Sequence, residues 1–256
     1  MKKMNKTKIE WCDSTWNPVW GCENNCPYCY ARRMAKRIHG NMAAKEFNFL
    51  GKSIGYEYNK YVELSTKLKN FKPTWIESNF NKSFPKKPSR IFVNSMSDIK
   101  FWKAEWMERV LDKIREYPQH IFQFLTKFPE IYNDYNFPEN CWLGITVTNE
   151  MDFINMDGFC ENEYMGDNLI FYSMEPILEP IGIAMISGFG GWEGWIIIGA
   201  ETGNRKDKVK PEPQWINDIY QYCRDNKIPL FMKDSIKPYW KGELIREFPG
   251  RENEPI

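Results

Sequence analysis

Three cysteines stand within eight residues, Cys22, Cys26 and Cys29, at the spacing C-x3-C-x2-C. The loop between them is short and turn-rich: Glu23-Asn24-Asn25 supplies a turn, and Pro27 stiffens the approach to the last cysteine. Thiolates this close can converge on one inorganic centre, and soft sulfur ligands select zinc or an iron–sulfur cluster. A structural zinc site is closed by four ligands, usually two C-x2-C pairs or one such pair with two histidines. The two histidines, His39 and His120, form no zinc pattern with the loop, and there is no second C-x2-C. Seven cysteines, an odd number with three clustered, do not look like a disulfide framework. That leaves a cluster held by three cysteines, with one iron lacking a protein ligand. Zinc, or a cluster that only stabilises a non-enzymatic binding protein, stays open as the alternative.

Other polar residues recur in one place, just after short apolar runs. Asn94-Ser95-Met96-Ser97-Asp98 follows Ile91-Phe92-Val93, and Thr126-Lys127 follows residues 121–125. Thr146 and Thr148 close the run 142–147, two apart and so on one face of a strand. Ser173-Met174-Glu175-Pro176 follows 169–172, Gly199-Ala200-Glu201-Thr202-Gly203 follows 195–198, and Lys233-Asp234 follows 230–232. Pro176 holds the Glu175 backbone extended. Each residue also has an ordinary reading as an N-cap, a turn residue or a β-branched strand residue. Their coincidence at so many run ends is the signal.

The elements that must position them alternate. Residues 15–20 read as a first strand delivering Cys22. Residues 28–40 read as a helix stopped by Gly40, so the last two cysteines sit at a helix start, where amide dipoles favour anions. Residues 102–117 are apolar at helical spacing, and a further helix opens at Pro213. The apolar runs between read as strands covered on both faces. Alternation of this kind argues for a parallel sheet with crossover helices. The expectation is an α/β fold, a partial (β/α) barrel of about six to seven parallel strands, with its site at their carboxyl ends. A single domain spans 1–256, with an irregular insertion at 41–88 where lysines and aromatics interleave, among them Lys52, Tyr56, Tyr58, Lys60, Lys69 and Phe71. Lysines with aromatics suit single strands or nucleotides by charge and stacking; the other reading is a solvated insertion whose rings pack on the barrel. The tail from Ile236 reads as polar loop.

A net charge of +1 gives no global field that would recruit nucleic acid, although local patches do such binding. The basic start, Met1 to Lys6, is not followed by an apolar stretch, and no run approaches membrane-spanning length. With free thiols, this points to a reducing cytoplasm and no membrane partner. Cys141 and Cys223 read as buried small hydrophobes; Cys12 and Cys160 are left open.

The cysteine motif, with Tyr28 before its last cysteine, resembles that of the radical S-adenosylmethionine (SAM) superfamily. The run Ile9-Glu10-Trp11, Thr15-Trp16-Asn17-Pro18, Gly21-Cys22 and Cys29-Tyr30-Ala31 is similar to a phage-associated branch of small radical SAM-like proteins. The segments 92–98, 125–127, 175–176 and 199–203 look like that branch too. The motif also resembles the start of the radical SAM lyases that repair a DNA photoproduct. The resemblance implies a [4Fe-4S] cluster on Cys22, Cys26 and Cys29, beside Tyr28, whose open iron binds SAM. An electron donor such as flavodoxin or ferredoxin would drive cleavage of a SAM carbon–sulfur bond. It implies that Ser95, Ser97 and Asp98 accept from the SAM amino group. Thr146 and Thr148 would meet ribose hydroxyls, and Gly199 would let adenine approach the backbone. Lys127, Glu175 and Glu201 are the catalytic candidates, with Arg205, Lys233 and Asp234 as further residues of the mouth. The substrate class it suggests is a nucleobase or nucleic acid; transfer of an aminocarboxypropyl group from SAM is the alternative chemistry.

Overall fold

A computed structural model describes residues 7–154, 168–182 and 194–250. Cys160 and the basic residues of the first six positions lie outside them. Fifteen elements carry the argument. They are β1 (Ser14–Thr15), β2 (Val19–Trp20), α1 (Tyr30–Phe49), α2 (Tyr58–Lys69), β3 (Thr74–Trp75), α3 (Glu77–Phe80), β4 (Arg90–Phe92), α4 (Ala104–Arg115), β5 (Ile121–Thr126), β6 (Cys141–Thr146), α5 (Glu150–Ile154), β7 (Ile170–Met174), β8 (Trp195–Ile198), α6 (Pro213–Asp225) and β9 (Leu230–Met232). Seven strands form one parallel sheet in the order β1-β4-β5-β6-β7-β8-β9. β2 and β3 form a separate antiparallel ribbon. The chain divides into two compact units at Phe124/Leu125, inside β5.

In the first unit, α1 and α2 make an antiparallel hairpin, fixed by Phe47 against Tyr61 (5.7 Å between ring centroids) and by His39 Nδ1 and Ser65 Oγ at 2.8 Å. Its apolar face meets the β2–β3 ribbon in a cluster of Trp20, Ala31, Ala35, Ala43, Leu68, Phe71, Ile76 and Met96. Cys22, Cys29 and Met34 pack against this cluster, so the cysteine loop is seated on a core rather than hung from a mobile turn. Elsewhere Trp16 is fully buried among Phe80, Phe84 and Phe122, and its indole N–H donates to Asn79 O at 3.0 Å.

The second unit is built on β6–β9. Trp195, fully buried, packs against Trp142, Phe171, Phe231 and Phe248 with centroids 5.3–6.0 Å apart. Cys141 and Cys223 are fully buried, as expected of small apolar side chains. Burial pushes the Cys223 thiol up to about 12.

Four expectations are corrected. The first strand is two: β1 joins the main sheet, and the chain then crosses to the ribbon, because Asn17-Pro18 ends the β1 ladder and Pro18 O accepts from Ile76 N–H at 2.7 Å. α1 does not stop at Gly40. It continues to Phe49 because α2 packs along it, with Tyr61 Oη donating to Gly40 O; tertiary packing outweighs the weak helix preference of one glycine. The stretch 41–88, expected to be irregular with a short helix, instead opens with a helical hairpin that ends at Lys69. The tail is not all loop: Met232 N–H donates to Ile245 O and Glu247 N–H to Leu230 O, which pairs residues 245–247 with β9.

Candidate functional site

β2 delivers the cysteine loop, and Gly21 explains how. Its φ is +107°, and a Cβ there would stand 2.2 Å from Lys72 O and 2.7 Å from Pro73 N. Only glycine lets the chain pass this close to the ribbon and turn into the loop. Gly21 N–H then donates to Met96 O (3.0 Å), and Cys22 N–H to Phe71 O (2.9 Å).

Each cysteine sulfur accepts an N–H. Asn24 N–H reaches Cys22 Sγ, Asn24 Nδ2 reaches Cys26 Sγ and Arg32 N–H reaches Cys29 Sγ, all at 3.4 Å. Asn25, at φ 56°, makes the turn between the first two. Cys29 is thus the N-cap of α1. Arg32 folds back over Phe71, with Nη2 donating to Cys22 O at 2.8 Å. Burial pushes the Cys22 thiol up to about 12, against the lowering by the Asn24 N–H; Asp98, Cys26 and Cys29 push the same way as burial. A metal centre ionises its thiols by coordination, which would offset the burial of Cys22.

Among the described residues, no three His, Cys, Asp or Glu side chains converge closely enough to hold one metal ion. A cluster makes a different demand, since it takes one thiolate per iron and is tuned by hydrogen bonds to the sulfurs. The donor set here, three thiols each with an N–H donor, fits that demand.

The loop after β4 is stitched to the cysteine loop. Asn17 Oδ1 accepts from Met96 N–H (2.9 Å) and Ser95 Oγ (3.1 Å), Tyr30 Oη donates to Ser95 O (2.7 Å), and Gly21 bridges to Ser97. Ser95, Ser97 and Asp98 are therefore brought beside the cysteines. Ser97 Oγ accepts from Trp102 Nε1 at 3.0 Å, and Asp98 Oδ1 caps the following turn by accepting from Lys100 N–H at 3.1 Å. Tyr28 is half-buried within the cysteine loop. Cys12 is buried with its thiol toward Ile9 O, 3.8 Å away.

In the second unit, Glu175, Gly199 and Lys233 come together. Lys233 Nζ pairs with Glu175 Oε1. A Cβ on Gly199 would stand 2.6 Å from Glu175 Cγ, so the space above this glycine holds the Glu175 side chain. Glu201 is buried and forked by Arg205 at 2.7 and 2.6 Å, with Val209 N–H at 3.3 Å. The Arg205 bond lowers the Glu201 pKa, with the Val209 N–H and the Arg205 charge adding to it against burial. Asp234 pairs with Lys237 and Arg246 at 3.0 and 2.9 Å. Thr148 N–H and Oγ1 both donate to Asp152 Oδ2, at 2.7 and 2.8 Å, while Asn149 Oδ1 caps α5 by accepting from Asp152 N–H at 2.9 Å. Thr148 lies past the end of β6, whereas Thr146 closes that strand opposite Ser173. Lys127 follows β5 and is half-buried.

Four residues of the first unit escaped sequence reasoning: Asn17, Asn24, Tyr30 and Arg32. Three lie inside motifs quoted above, but nothing in residue type says which asparagine will face a sulfur and which a backbone amide. Ser173, named in the sequence only as part of a run end, is fully buried with its Oγ lacking a partner among the described residues.

A family profile described as "Protein of unknown function (DUF5131)" matches residues 6–246. Several solved structures of spore photoproduct lyase share the fold at low identity. One mutant form matches with a TM-score of 0.54 and 12% identity, over 94% of this chain and 80% of that one. Another, holding a dinucleoside spore photoproduct, matches with a TM-score of 0.54 and 11% identity, over 93% of this chain and 79% of that one. A third, with bound AdoMet and the dinucleoside photoproduct, matches at 0.54 and 11%, over 90% and 78%. The fold in common is the α/β fold with a partial barrel of parallel strands. None of the curated proteins matches the chain.

Proposed function

The chain belongs to the DUF5131 family, and for it we propose a radical SAM enzyme that acts on a nucleobase or nucleic acid. The observation that carries the reading is the cysteine loop itself: three thiols, each with its own N–H donor, joined by Gly21, Asn17 and Tyr30 to the Ser95–Asp98 loop. In this reading Cys22, Cys26 and Cys29 hold a [4Fe-4S] cluster, which when bound supplies one electron to break a carbon–sulfur bond of SAM. The electron comes from a carrier such as flavodoxin or ferredoxin.

The chain's own residues bind and orient. Asn24 and Arg32 fix the sulfurs and screen their charge. Asp98 and the hydroxyls of Ser95 and Ser97 supply acceptors for an ammonium group; Asp98 does so while capping its turn. Asn17 holds that loop at its distance from the cysteines. In the second unit, Glu201 is kept ionised by Arg205, so it serves as a hydrogen-bond acceptor for ribose hydroxyls rather than as a base, since a carboxylate of lowered pKa takes protons poorly. Glu175, with Lys233 on its oxygen and Gly199 beneath, is the group poised to move a proton between substrate and lysine. Lys127, Thr146 and Thr148 complete the mouth, with the Thr148 hydroxyl held by the Asp152 carboxylate.

The substrate class rests on likeness of fold to a lyase whose structures hold AdoMet and a dinucleoside photoproduct. The test is SAM turnover. Reconstituted anaerobically and reduced, the protein should release methionine and a deoxyadenosine product faster in the presence of oligonucleotide. Reduced protein that leaves SAM intact under every such condition contradicts the enzyme reading.

A further inference from the structure

A net charge of +1 conceals a strong local excess. Residues 30–72, which carry α1, α2 and their turn, hold ten Lys and Arg against three acids. In α1 the excess sits at the unfavourable end. Arg32, Arg33, Lys36 and Arg37 occupy the first two turns, and the first turn has no acid. The helix dipole is positive there, and Arg33 repels Lys36 and Arg37 at three and four residues' spacing. The other helices follow the dipole: α4 starts with Glu105 and ends with Lys113 and Arg115, α2 ends with Lys67 and Lys69, and α6 ends with Arg224.

Pairing sharpens the contrast. Among the described residues, Arg90, Arg109, Arg115, Arg205, Arg224 and Arg246 each meet a carboxylate. Arg32 is held by the cysteine loop. Arg33, Lys36 and Arg37 are exposed, and no carboxylate among the described residues pairs with them. With Tyr30, Asn41 and Asn48, Arg33 and Arg37 fall on one exposed face of α1, and Lys36 flanks it. That face runs about 30 Å, the length of a twenty-residue helix, from Cys29 to the α1–α2 turn. At the turn, Phe49, Leu50, Ile54, Tyr56 and Tyr58 are all exposed, Tyr56 at 95%. Large apolar side chains exposed together at one turn suit an interaction site.

We propose that this face of α1 and the rings at its far end bind a single strand of nucleic acid, with phosphates on Arg33, Lys36 and Arg37 and bases against Phe49, Tyr56 and Tyr58. A polyanion relieves the repulsion at the helix start, and aromatic faces stack on any base. The helix length suits the roughly 4–16 nucleotides that single-strand sites cover. An acidic protein would answer the cations but leave the rings, a helix length away, without a role. The proposal rests on the nucleic-acid reading above for its partner class, but binding is measured without cluster or SAM.

The test uses the full chain as purified and a labelled mixed-sequence single strand of about 20 nucleotides, as DNA and as RNA. Fluorescence anisotropy across salt gives affinity and its salt slope. Replacing Arg33, Lys36 and Arg37 together by Gln should weaken binding of one or both strands about tenfold or more at ~0.1 M salt and lower the slope by roughly 2. The melting temperature should hold or rise, because cations leave a helix N-terminus. Tyr56→Ala with Tyr58→Ala should weaken binding and leave the slope unchanged. Unchanged affinity and slope in the Gln variant overturn the proposal. So does a wild-type chain that binds neither strand, or a Gln variant that loses only its rate of reduction by an acidic flavodoxin. Strand binding through this face in a protein that never cleaves SAM would remove the enzyme reading and leave this one standing.

Discussion

Gly21→Ala should damage the protein in a way that Gly51→Ala does not. Both glycines have positive φ, +107° and +67°. A side chain in that region costs about 1–3 kcal/mol. At Gly51 nothing lies within 4 Å of the added carbon, so that cost is the whole of it. At Gly21 the new Cβ would stand 2.2 Å from Lys72 O, 2.3 Å from Lys72 C and 2.7 Å from Pro73 N. These are backbone atoms beside the β2–β3 pairing, and no rotamer change moves them. Overpacking adds about 1–3 kcal/mol if the ribbon holds. If the ribbon opens instead, the bonds from Gly21 N–H to Met96 O and Cys22 N–H to Phe71 O are lost, at about 1 kcal/mol each. Either route leaves Gly21→Ala about 2 kcal/mol less stable than Gly51→Ala. Urea unfolding followed by tryptophan fluorescence measures the difference, and iron bound after anaerobic reconstitution reports whether Cys22 is still in place. Equal unfolding midpoints for the two variants, with equal iron, would refute the reasoning.

Three further outcomes are expected. Arg205→Gln leaves the Glu201 carboxylate without its cation and should destabilise the protein at neutral pH. Because the folded Glu201 pKa lies below its unfolded value, this stabilisation is present above the unfolded pKa, about 4.3, and fades as pH falls through the folded one. A gap between wild type and variant that stays constant from neutral pH into acid contradicts the assignment. Gly199→Ala meets a side chain rather than backbone, so Glu175 should swing away from Lys233 at a cost of only about 1 kcal/mol; its effect on stability should be less than additive with Lys233→Met, and full additivity would show the contact is not shared. Asn24→Ala removes the side-chain N–H on Cys26, and the reconstituted centre should become harder to reduce, read as a more negative midpoint potential in an EPR titration. An unshifted potential would show that this amide does not reach the centre.

Much of this was legible from residue order. The apolar runs at 195–198 and 230–232 have the strand bounds expected, because strands covered on both faces leave an uninterrupted apolar signature. The Ser95–Asp98 segment, singled out as a run end, fell beside the cysteine loop. What could not be read was set by contacts distant in sequence. α1 passes Gly40 because Tyr61 lies against it, and the hairpin of 41–88 hid behind a pattern in which lysines cover one face and rings both cap and pack. Gly199 read as room for a ligand; its space is filled by Glu175, a residue twenty-four positions earlier. The hydroxyl of Thr148 is spent on the Asp152 carboxylate in the first turn of α5, a local competition that period-two spacing does not reveal.

The most direct measurement is EPR of the reduced, anaerobically reconstituted chain, with and without SAM, beside the Cys22→Ala, Cys26→Ala, Cys29→Ala triple variant. The wild type should hold about four irons per chain, show a reduced-cluster signal and shift it when SAM is added. The triple variant should hold none. A wild-type signal indifferent to SAM, or a triple variant with the same iron as the wild type, would contradict the account.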